Sequence, residues 1–64
     1  MTGAGVAARY QEAMWALEQA AGRLRAAARG LEAADMPDTA RLLTQWAEEA
    51  ERTITELTAD LVRP

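Results

Sequence analysis

The chain has 64 residues, a formal charge of −3 and neither cysteine nor histidine, which excludes a disulfide scaffold and a cysteine–histidine zinc centre and bounds it at one domain. A core of this size rarely supplies more than about 3–5 kcal/mol without such a staple, so association is the expected route to stability and a lone folded monomer is not. The mild acidity also excludes a general attraction to nucleic acid or anionic lipid.

Sixteen alanines, and arginine as the sole basic residue type, match the coding bias of a GC-rich, bacterial genome. No uncharged apolar run approaches the roughly 18 residues of a membrane span. Residues 1–8 are too short and too glycine-rich for a signal-peptide core and have no basic cluster before them, so the expected location is cytoplasmic, with no membrane partner. Residues 1–4 are expected to fray.

A first helix is predicted over residues 5–34. Large apolar residues recur every seven positions at Tyr10, Leu17, Leu24 and Leu31. Alanine follows each by three, at Ala13, Ala20, Ala27 and Ala34, and together these read as a heptad seam. Ala7, Met14, Ala21 and Ala28 widen the stripe on the neighbouring flank, as a bundle helix requires. Gly22 and Gly30 each cost about 1 kcal/mol against alanine in a helix interior.

The chain reverses within residues 30–38. Pro37 lacks a backbone N–H and is tolerated only in a first helical turn, and it pushes Met36 out of the α region. Asp35 and Asp38 stand where a carboxylate can accept an orphan N–H and meet the positive end of a helix dipole. A second helix is therefore predicted over 37–62, with Ala40, Ala47, Ile54 and Leu61 in one series and Leu43, Ala50 and Leu57 in the other. Its outward face carries Arg41, Gln45, Glu48, Glu49, Arg52, Glu56 and Ala59.

Antiparallel helices joined by a tight turn pair residues whose numbers sum to a near-constant. Leu31 then meets Ala40, Ala27 meets Leu43, Leu17 meets Ile54 and Tyr10 meets Leu61, while Ala20 meets Ala50 in a layer that is small on both sides. The same register sets Arg9 opposite Asp60 as a surface ion pair and Arg23 opposite Trp46 as a cation–π stack. The fold class is thus all-α, an antiparallel helical hairpin in a single domain, expected to dimerise into a four-helix bundle.

Function is less determined. With no histidine, cysteine, lysine or serine, the chain offers no catalytic set, and neither a cofactor nor a small-molecule substrate is inferred. Glu48, Glu49 and Glu51 read as a solvated helix face, since di-metal carboxylate bundles draw inward-facing Glu and Glu-x-x-His pairs from several helices. Leu42 and Trp46, large apolar side chains one turn apart and off the seam, are the expected protein interface, with Ala26, Gly30 and Ala33 near them on the first helix. The partner is expected to be a second copy, or else another helical protein.

A second stripe on the first helix, Gln11, Trp15, Gln19, Arg25 and Arg29, combines an aromatic with amides and arginines that can stack on and grip RNA. A helical hairpin of this length built on leucine and alanine layers resembles the Rop family, with the nearest local likeness at Ala47-Glu48-Glu49 to Arg52. That resemblance implies a dimeric four-helix bundle binding paired RNA loops through a face made by the first helix and its symmetry mate. Against it, Glu12 and Glu18 lie beside any phosphate on that stripe, and phosphate contacts dominate such affinity. The leading expectation is accordingly a non-enzymatic interaction module, an adaptor, assembly subunit or regulator. A nucleic-acid-binding regulator is the alternative.

Overall fold

The computed structural model describes residues 3–63 and contains two helices that pack antiparallel, α1 over Gly3–Ala33 and α2 over Pro37–Val62. Of the segment expected to fray, residues 1 and 2 lie outside the described residues, while residues 3 and 4 already belong to α1. Residue 64 is likewise outside them. The hairpin is a rod of 50 × 16 × 11 Å with a radius of gyration of 15.0 Å, against roughly 11 Å for a rounded chain of this length.

The reversal occupies Ala34, Asp35 and Met36, where the sequence places it. Asp35 takes a left-handed backbone conformation, φ 61°. Its N–H donates to the carbonyl of Glu32 at 3.0 Å, and the N–H of Met36 donates to the carbonyl of Leu31 at 2.8 Å. These two bonds form a Schellman motif that satisfies the last carbonyls of α1. Asp35 stands where glycine is usual, and aspartate tolerates that conformation better than most side chains.

Pro37 opens α2 at its first position, and the N–H of Ala40 donates to the carbonyl of Met36 at 3.1 Å to start the helical ladder. The expected carboxylate cap is corrected. Met36 is the N-cap residue and no side chain caps it; Asp35 terminates α1 instead, and Asp38 lies 3.2 Å from Arg41 within the first turn of α2. At the far end, Arg63 adopts extended backbone and its N–H reaches the carbonyl of Asp60 at 3.4 Å.

Burial follows the two periodicities, with one change on α1. Among the described residues the four that are buried are all alanine: Ala21 and Ala28 on α1 are 4% exposed, Ala40 on α2 is 1% and Ala47 is 0%. Tyr10, Leu17, Leu24 and Leu31 face α2 half-buried, but the alanine series beside them that turns inward is Ala21 and Ala28, not Ala13, Ala20 and Ala27, which are exposed. The expected double-alanine layer at Ala20 and Ala50 is therefore absent: Ala20 is exposed and Ala50 half-buried. Small side chains meet instead in the half of the rod nearest the turn, among Ala21, Ala28, Ala40 and Ala47. Both predicted α2 series face inward, joined by Thr44, whose part-buried hydroxyl donates to the carbonyl of Ala40 at 3.0 Å.

No helix among the described residues is long and apolar enough to cross a membrane.

Candidate functional site: two unlike broad faces

Two antiparallel helices in one layer leave two broad faces, above and below the plane of their axes. One is marked by an ion pair. Arg25 lies one turn from Ala21 and Ala28, on the far side of them from the leucine row, and Glu51 stands in the same relation to Ala47 and Ile54. The Arg25 guanidinium donates from Nε to Glu51 Oε2 at 2.9 Å and from Nη2 to Oε1 at 2.7 Å, spanning the two helices. These hydrogen bonds, with the opposite charge behind them, hold the Glu51 carboxyl below the usual carboxylate range and push the Arg25 guanidinium up.

Two turns toward the open end, Thr58 Oγ1 lies 2.9 Å from the carbonyl of Ile54 and 3.2 Å from Met14 Sδ on the same side. The hydroxyl has one proton and the carbonyl is the stronger acceptor, so the sulfur contact marks packing and register.

The opposite face is apolar. Ala13, Ala20 and Ala27 lie three or four residues from Tyr10, Leu17, Leu24 and Leu31, on the side away from Ala21 and Ala28, and all three are exposed. On α2, Trp46 stands one turn from Leu43 and Ala50 on the matching side, 48% exposed, and Leu42 beside it is 43% exposed. The row that the sequence places inside the hairpin thus lines its outer face, together with Trp46.

The expected interface residues divide accordingly. Leu42 and Trp46 are brought together on the apolar face and Gly30 lies along its outer edge, whereas Ala26 and Ala33 fall on the α1 row pointing directly away from α2. Of the stripe read as an RNA face, Gln11, Trp15, Gln19 and Arg29 are exposed on one side of α1, with Trp15 63% exposed. Arg25 departs from that reading, being half-buried at the inter-helix edge and held by Glu51. Arg25 rather than Arg23 is the arginine that reaches across; Arg23 is exposed. The Arg9–Asp60 pair is replaced by local ones, Arg9 with Glu12 and Asp60 with Arg63, each at 3.7 Å.

Among the described residues no group of three or more carboxylates is placed to hold a metal ion. A shallow open depression at the start of α1 is lined by Gly5, Val6, Ala8, Arg9 and Glu12, of which Arg9 and Glu12 form the exposed local ion pair. In comparisons with known proteins no family model, no curated protein and no solved structure matches the chain.

Proposed function

We propose that this chain is a non-enzymatic protein–protein interaction module, an adaptor, assembly subunit or regulator, that works by self-association through its apolar face. The observation that carries the reading is the identity of the buried residues. Among the described residues only alanines are taken almost wholly from water, and every leucine and isoleucine of the two inward series keeps part of its surface exposed. At about 0.8 kcal/mol per buried methylene-sized group, four methyl groups are a thin core for two helices of 31 and 26 residues. A second layer of helices on the apolar face covers the leucines, Trp46 and Leu42 at once.

Sedimentation equilibrium tests this. A dimer weakened by Trp46→Ala or Leu42→Glu, and not by Trp15→Ala, is the expected result. A monomer at high concentration with cooperative unfolding overturns it, and greater damage from Trp15→Ala moves the interface to the other face.

The nucleic-acid reading loses support because Arg25, one of its two arginines, already has both carboxylate oxygens of Glu51 as partners. A phosphate must displace that pair, leaving Arg29 as the exposed arginine of the stripe. Retention on immobilised RNA that falls steeply with salt would revive it.

A further inference from the structure

We propose that the occupant of the apolar face is a second copy of this chain laid with its turn at the same end, so that α1 of each copy rests beside α2 of the other. The inference deepens the self-association reading and depends on it. The area fits a second copy: the chain exposes 4814 Å², where the scaling for folded monomers of 6.9 kDa gives roughly 4000 Å². The difference, roughly 800 Å², is about one partner's share of a standard interface.

Direction follows from the rims. On α1 the outer edge of the apolar face runs Arg9, Ala16, Arg23, Gly30 at heptad spacing; on α2 it runs Leu42, Glu49, Glu56, Arg63. Inside a hairpin Met14 and Thr58 share a level along the rod. Turn-to-turn stacking about a two-fold axis parallel to the helices preserves that register between copies. Arg23 then meets Glu49 of the second copy, Gly30 receives Leu42 of the second copy, and Ala16 faces Glu56 of the second copy. Arg9 and Arg63 come level only at the open ends, where each has a carboxylate of its own chain, Glu12 and Asp60. One step inward, Trp46 lies over Ala27 of the second copy, a large side chain on a small one.

Stacking with the turns at opposite ends reverses these relations. Then α2 lies on α2, Glu49 comes level with Glu56 of the other copy twice by symmetry, and Arg23 meets no carboxylate. Trp46 falls near Asp60 of the second copy while the alanine rows of α1 meet each other. Like charges brought together at an interface select against that arrangement.

Two experiments on the full chain read the direction. In sedimentation equilibrium, Arg23→Glu and Glu49→Arg should each weaken the dimer about fivefold, and the double variant should regain the original affinity. Gly30 and Leu42 stand on opposite outer edges of one hairpin, so a disulfide between these positions joins two chains. Gly30→Cys chains mixed with Leu42→Cys chains and oxidised should give a mixed disulfide-linked pair, which neither variant's own homodimer accounts for. A dimer that persists but shows neither rescue nor the mixed pair overturns the same-end arrangement and leaves the self-association reading standing. A chain that stays monomeric in every variant, the unmodified one included, overturns both.

Discussion

Arg25 on α1 and Glu51 on α2 are joined by two parallel hydrogen bonds, 2.9 and 2.7 Å, that fasten one broad face of the hairpin. Both side chains are about half exposed, so solvent screens the pair and its effect on stability is modest. Its larger consequence is orientational. With one face held by a polar bridge and the other lined by Ala20, Ala27 and Trp46, the two broad sides of the rod differ in chemistry.

The pair makes stability depend on pH. The folded Glu51 carboxyl titrates below its unfolded value, so its contribution is fully present above the unfolded value and is lost as pH falls through the folded one. Arg25 is pushed the other way, which matters only in strong alkali. Glu51→Gln should therefore melt below the parent chain at neutral pH, and the difference should close in acid. Thermal melts of the two proteins across the acid range check this; a difference independent of pH would assign the effect to packing.

Asp35 holds φ 61° where a glycine would be unstrained. A left-handed non-glycine residue costs roughly 1–2 kcal/mol, less for aspartate, and glycine returns part of that through a freer unfolded chain. Asp35→Gly should raise stability by about 0.5 kcal/mol, a shift of roughly 2–4 °C, while a β-branched Asp35→Val should lower it by more. Urea titration of the three chains measures both.

Ala47 is wholly buried and Ala26 points away from α2. Ala47→Leu forces extra methylene groups between helices that meet through alanines and should cost about 1–3 kcal/mol. Ala26→Leu, on an exposed row, should stay within about 0.5 kcal/mol of the parent. Equal effects would show that the helices do not approach as described.

Gly22 lies on an exposed row of α1, and a Cβ built there meets nothing within 4 Å. Its glycine thus serves no close approach, and Gly22→Ala should stabilise the helix by roughly 0.5–1 kcal/mol. A gain in helical circular dichroism with a higher melting temperature is the expected readout.

If two hairpins fold as one unit, the melting temperature must rise with protein concentration by mass action. Melts over a wide concentration range should show that slope for the parent chain and a smaller one for Trp46→Ala. A parent melting temperature that does not move with concentration would contradict the proposed function.

Much of the fold is dictated by residues near one another in sequence. Pro37 fixes the start of α2, and α2 carries a single apolar stripe, so its inward series could be read from spacing alone. The α1 sequence is less decisive, because its leucine row has alanines on both sides and either row satisfies a heptad. Alanine is too small and too good a helix former in any setting to signal which way it faces. The choice lies in the turn. A Schellman reversal with Asp35 left-handed sends α2 off on one side of α1, so that Ala21 and Ala28 become interior and Ala20 and Ala27 are left outside.

The same geometry separates Arg25 from the arginines it resembles in sequence. Composition gives Arg23, Arg25 and Arg29 equal standing, and only the packing angle of two helices brings one of them within reach of Glu51. Helical period and proline chemistry are local and therefore written in the chain; the side on which one helix lies against another is a property of the packed pair, and that decided which face carries the ion pair and which is apolar.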